Sequence, residues 1–225
     1  VLDRLFSFAP LNQLTWALQG LCWRLLADEN YQWLIDYENH IGVFTLPVPA
    51  GYSSLDNFLA ELKSVLLGMH KTQVAPTQQT LKSGTQTPGR LLQKRNPVIA
   101  NYKASLAQVV ESYLQRFSPD ENHPFLQRLT SAMSGQFTFS GSWSVKLKPQ
   151  GFHVNHVHPE GWISSASYIS LPDTMSDQAS QSGCIKFGES ALMLGEREVV
   201  ERVIHPAPGQ LVLFPSYTWH GTYAF

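Results

Sequence analysis

The sequence predicts an α+β fold, mainly β, in which helices support an antiparallel sandwich or barrel. Two observations carry this. Up to about residue 130, apolar residues recur at three- and four-residue spacing, as on helices with one buried stripe. From Gly135 onward they alternate with small or polar residues, in five short segments separated by Gly and Pro.

Residues 1–37 read as helical, with Leu11, Leu14, Leu18, Leu21, Cys22 and Leu25 on one stripe and Trp16 and Trp23 off it. Residues 41–46 are β-branched and aromatic and are stopped by Pro47, Pro49 and Gly51, which predicts a strand and a turn. Ser53 or Ser54 caps a helix that buries Leu55, Phe58, Leu59, Leu62, Val65 and Leu66 and stops near Gly68. Residues 71–95, rich in Thr, Gln, Gly and Pro, read as a long loop, with 79–87 as a candidate lid. After Pro97 a third helix buries Ile99, Tyr102, Leu106, Val109, Val110, Tyr113 and Leu114. The strands are expected at 137–147, 163–171, 185–187, 199–204 and 210–214.

At 225 residues and 43% hydrophobic content, the chain can bury the core of one ordinary domain. A net charge of -1 gives no general attraction to nucleic acid or to anionic lipid. Cys22 and Cys184 are too few for a disulfide framework, so a reducing, cytoplasmic setting is expected. No apolar run is long enough to span a bilayer, and no secretory signal opens the chain. The chain starts without Met and stops at Phe225, directly after a predicted strand, so it is expected to be a fragment.

The chemistry concentrates in Gly151-Phe-His-Val-Asn-His-Val-His-Pro-Glu-Gly-Trp162. This run reads as a strand, and side chains two apart in a strand share a face, so His156 and His158 can point at one atom. A shared divalent cation is a common way to hold two such imidazoles neutral. A third histidine, His220, closes Leu211-Val-Leu-Phe-Pro-Ser-Tyr-Thr-Trp-His220, whose strand is expected antiparallel within the same sheet. His153 is three residues from His156 and faces the other way. His40, His70, His123 and His205 read as structural. Glu160 is the nearest carboxylate and reaches the metal only if the strand breaks at Pro159. Trp143, Trp162 and Trp219 flank the proposed site as a candidate aromatic rim, or else belong to the core.

The run His156-Val-His158-Pro, then Trp162-Ile-Ser164, Ser167-Tyr168-Ile169-Ser-Leu-Pro172, Gly183-Cys-Ile-Lys-Phe187, Pro208-Gly209 and Leu213-Phe-Pro-Ser-Tyr-Thr-Trp-His220-Gly-Thr resembles the 2-oxoglutarate/Fe(II)-dependent dioxygenases. More narrowly, it is similar to the branch found C-terminal to tetratricopeptide repeats in bacteria. The resemblance is strongest from about Trp143 to Phe225. It implies a double-stranded β-helix, or jelly roll, over 41–225, truncated at its C-terminus, with 1–40 as the end of a repeat array. It also implies Fe(II) held by His156, His158 and His220, with 2-oxoglutarate as co-substrate contacted by Tyr168 and Ser164. The reaction implied is hydroxylation of a small molecule or a protein side chain, with release of succinate and CO2.

Two departures accompany the resemblance. His158 stands where the family usually carries Asp, which leaves a loaded site one unit more positive. The arginine that family members carry about ten residues past the distal histidine, to pair with 2-oxoglutarate, would lie beyond Phe225. Two other readings therefore stand beside the dioxygenase: a three-histidine zinc or cupin-type enzyme, and a degenerate barrel kept as a binding module.

Overall fold

Helices occupy most of the first half of the chain and strands most of the second, in a computed structural model that describes residues 2–71, 80–133, 137–172, 175 and 179–225. The helices are α1 (Leu2–Phe8), α2 (Gln13–Leu26), α3 (Asn30–Leu34), α4 (Leu55–Met69), α5 (Pro97–Leu114) and α6 (Leu129–Met133). Their starts follow from local chemistry. The Asn12 side chain accepts from Thr15 N, Ser54 from Asn57 N, and Asn96 from Val98 N and Ile99 N, with Pro97 as the first helical residue of α5. Ala27, left-handed at φ 53°, ends α2.

The strands are β1 (Gly42–Thr45), β2 (Leu81–Gln86), β3 (Val145–His153), β4 (Ile163–Ser167), β5 (Ile185–Phe187), β6 (Arg202–Ile204), β7 (Gln210–Pro215) and β8 (His220–Thr222). Among the described residues they form two antiparallel three-stranded sheets, ordered β1-β7-β4 and β6-β5-β8, and an antiparallel β2-β3 pair. Both faces of β7 are buried, which explains its unbroken apolar run. Val212 and Phe214 pack with Ile41, Ile185, Phe187 and Ile204 in one core cluster. Leu211 and Leu213 join a second cluster with Leu34, Phe58, Ile99, Tyr113 and Leu129 of the helical layer. Arg202 ties the β6 edge to the start of β1, donating to the carbonyls of Tyr37 and Ile41.

Several expectations need correction. The fold is mixed, not mainly β, because the strands are short and helices hold more of the described residues. Residues 81–86 of the expected loop form a strand, with Gly84, Thr85 and Gln86 opposite Leu147, Lys146 and Val145. The candidate lid at 79–87 is therefore built into the β2-β3 pair, apart from Gln79, which lies outside the described residues. The strand expected over 137–147 begins only at Val145; residues 134–136 lie outside the described residues, and 137–144 are irregular. Leu11, just before α2, and Leu14 and Leu25 on it are exposed, while Gln13, Thr15, Ala17, Gly20 and Leu21 are buried. Gly20 sets this rotation, since a side chain there would collide with Ile35 and Leu34.

Candidate metal centre

His220 opens β8, and its position is fixed by the turn before it. Thr218 N donates to Pro215 O at 2.9 Å, and Ser216 N donates to Trp162 O at 3.0 Å. Two aromatic residues of the turn anchor it to the helical layer. The Tyr217 hydroxyl donates to Leu34 O at 2.9 Å, and Trp219 Nε1 donates to Ala17 O at 3.3 Å. Helices α2 and α3 thus set the seat of His220.

β3 ends at His153, so the expectation that His156 and His158 lie within a continuous strand is corrected. His156 instead forms an isolated antiparallel bridge with His220, His156 N donating to His220 O at 2.8 Å and His220 N to His156 O at 3.1 Å. His158 N then donates to Ser216 O at 3.1 Å. Two glycines allow this closeness. A side chain at Gly221 would strike Asn155, and one at Gly161 would strike Ser216. The strand before His220 is also not its sheet partner: β7 belongs to one three-stranded sheet and β8 to the other.

The three imidazoles nonetheless converge. Ring centroids are 4.2 Å apart for His156 and His220, 5.0 Å for His156 and His158, and 5.2 Å for His158 and His220. One ligand nitrogen from each lies within 4.8 Å of the others. His156 Nδ1 lies 2.8 Å from Val154 O, and His220 Nδ1 lies 2.9 Å from Thr218 O. A carbonyl only accepts, so both Nδ1 atoms carry the proton and both Nε2 atoms keep a lone pair. Burial lowers the pKa of all three, His158 to about 4 and His220 well below its ordinary value, and their mutual repulsion adds to this for His158 and His220. Neutral imidazoles oriented by backbone carbonyls are the donor set of a transition-metal or zinc site, so the residues fit a divalent metal.

The neighbouring candidates separate cleanly. His153 stays outside the group: its Nδ1 is 3.1 Å from Thr80 Oγ1, and its ring is 6.2 Å from that of His156. Glu160 is exposed and also outside it. His70 bridges Thr85 and Ser144, His123 binds Trp33 O, and His205 Nδ1 meets the buried Cys184 sulfur at 3.2 Å. Of the three tryptophans, only Trp143 borders the site, 6.1 Å from the His158 ring and 41% exposed. Trp162 and Trp219 pack with the helical core instead. The Ser164 hydroxyl is 2.8 Å from that of Ser216, both buried. Tyr168 packs against the cluster between the sheets, and its buried hydroxyl has no hydrogen-bond partner among the described residues. Sequence reasoning missed the carbonyls of Val154 and Thr218, because any residue supplies a carbonyl and no side-chain pattern marks them.

Residues 141–225 match the family model described as "Putative 2OG-Fe(II) oxygenase", a span that contains His156, His158 and His220. No curated protein matches the chain. Among solved structures, the chain is similar to a Pseudomonas putida prolyl-4-hydroxylase at 12% identity, covering 83% of this chain and 85% of that one with a TM-score of 0.48. It is also similar to a Trichoplax adhaerens prolyl hydroxylase, in complex with a hypoxia inducible factor oxygen degradation domain peptide fragment. That match has 14% identity, 90% and 86% coverage, and a TM-score of 0.47.

Proposed function

We propose that the chain is a 2-oxoglutarate- and Fe(II)-dependent dioxygenase in which His156, His158 and His220 hold the metal. The observation that carries this is the convergence of three neutral imidazoles, two with fixed tautomers, inside the stretch that matches the oxygenase family model. When bound, Fe(II) would let dioxygen act as the oxidant, with 2-oxoglutarate as the two-electron co-reductant: one oxygen atom would enter the succinate formed as CO2 leaves, and the other the hydroxylated substrate.

The remaining work falls to this chain's own residues. The carbonyls of Val154 and Thr218 hold the protons of His156 and His220 on Nδ1, so that Nε2 stays free to ligate. Phe214 and Phe187 wall the centre against water, their rings 4.6 and 6.4 Å from that of His220. The unpartnered Tyr168 hydroxyl would donate to a carboxylate of the co-substrate, and Ser164, paired with Ser216, would offer a second hydroxyl. A jelly roll is the architecture this reading assigns to the two three-stranded sheets and the apolar cluster between them. Exposed Leu11, Leu14, Leu25 and Leu26 support residues 1–40 as the end of a repeat array, with 41–225 as the oxygenase domain.

A second reading, a three-histidine zinc or cupin-type enzyme, is favoured by the all-nitrogen donor set. Anaerobic titration with Fe(II) and 2-oxoglutarate separates the two. The dioxygenase reading expects a weak visible charge-transfer band as the oxoacid chelates the iron. Iron uptake without the band, together with turnover in the absence of oxygen, would favour the zinc-type enzyme.

A further inference from the structure

The centre carries no charge of its own. Among the described residues, the metal-ligating group contains three histidines and no carboxylate. Glu160, two residues beyond His158, is exposed and contributes no ligand atom. The surrounding rings are neutral: Phe214 at 4.6 Å and Phe187 at 6.4 Å from His220, Trp143 at 6.1 Å from His158, and His153 at 6.2 Å from His156. Glu189, which meets Asn155 Nδ2 next to His156 in sequence, is ion-paired with Lys186. A divalent ion seated here keeps its full double charge in a partly buried, aromatic setting, where Coulomb attraction is far stronger than in water.

We infer that the metal-loaded centre binds a small monoanion, a halide or a monodentate carboxylate, at one of its open positions, so that such anions compete with the co-substrate and regulate the site. This rests on the reading of His156, His158 and His220 as metal ligands. The chain's own device is His158: as a neutral ligand beside two others it leaves a charge that a carboxylate would have cancelled. Anion binding is then a property of one residue.

The test uses Co(II) in place of iron and azide as the probe, read by the visible spectrum of the cobalt. The Co(II)-loaded chain should bind azide at least ten times more tightly than its His158→Asp variant, with chloride and formate displacing the azide and showing which anion class is preferred. Equal azide affinity in the two proteins, or no spectral response to azide, overturns the inference. If His158→Asp fails to retain Co(II), His158→Ala is filled with either imidazole or acetate. The imidazole-filled protein should then bind azide more tightly, and equal affinities overturn the inference as surely. The underlying reading fails separately. No Co(II) uptake, or uptake unaffected by His156→Ala, removes the metal site and the inference with it. Azide that binds as expected but is not displaced by 2-oxoglutarate overturns the competition claimed here and, with it, the co-substrate assignment.

Discussion

His156 and His220 face each other across an antiparallel bridge, each donating its backbone N–H to the other's carbonyl. Each also orients its ring in the same way, placing Nδ1 against the carbonyl two residues earlier, Val154 for one and Thr218 for the other. The pair therefore presents two Nε2 lone pairs from one rigid unit. His158 joins from the same segment, held by Ser216 O.

The ligand set makes a sharp forecast for single substitutions. His156→Ala, His158→Ala and His220→Ala should each lower affinity for a divalent metal by more than about 100-fold, since removing a ligand costs more than the roughly 10–100-fold of an outer partner. His153→Ala should leave most of it. Isothermal titration with Zn(II) measures both, and equal losses for His153→Ala and His156→Ala would contradict the geometry.

Gly221 is where the bridge is most easily broken. A methyl group there meets Asn155 and the His153 carbonyl, so Gly221→Ala should push the His156 segment off β8. Overpacking of this kind costs about 1–3 kcal/mol. Urea denaturation should show that loss together with weaker metal binding, whereas Gly51→Ala, with open space around it but a φ of 90°, should lose stability alone.

The coupling between helices and site predicts a different pattern for Tyr217→Phe. The change removes one buried hydrogen bond to Leu34 O, worth about 0.5–1.5 kcal/mol. Stability in urea should fall by that amount. Metal affinity should also fall, because the turn that seats His220 loses one of its two anchors.

Beside the buried histidines of the centre, part of the acid sensitivity should arise in the helical layer. His40 and His123 have rings 5.2 Å apart, and burial lowers both pKa values, His40 to about 4 with the repulsion of His123 adding to it. Unfolded histidine titrates near about 6.5. The folded value is the lower one, so the unfolded chain takes up protons first as the pH falls. The stability of the neutral ring is complete above about pH 6.5 and is lost as the pH drops toward 4. Between pH 7 and pH 5 the native chain should lose about 1–2 kcal/mol more than His40→Leu, read from urea midpoints. A slope unchanged by the substitution would assign the acid sensitivity elsewhere.

Much of this was legible in the sequence where local chemistry decides. Ser54 caps α4 as one of the two expected residues, Ile185–Phe187 is a strand as the pattern indicates, and the His-x-His spacing does put two imidazoles on one side. The spacing worked for a reason other than a continuous strand: the segment is extended because it is bridged to His220 and Ser216. Where distant partners decide, the sequence was silent. The leucine stripe of α2 put Leu14 and Leu25 in the core although its Leu21 alone is buried, because close packing at Ala17 and Gly20 outweighs residue size. β2 was hidden among Thr, Gln and Gly because its ladder is made by β3, some sixty residues away.

Nitrogen-15 spectra of the histidine side chains, recorded before and after one equivalent of Zn(II), test the metal centre most directly. The account expects the Nε2 signals of His156 and His220 to shift together with one His158 nitrogen, with saturation at one equivalent, while the Nδ1 protons of His156 and His220 persist. Saturation at any other ratio, loss of those Nδ1 protons, or an unmoved His158 would contradict it.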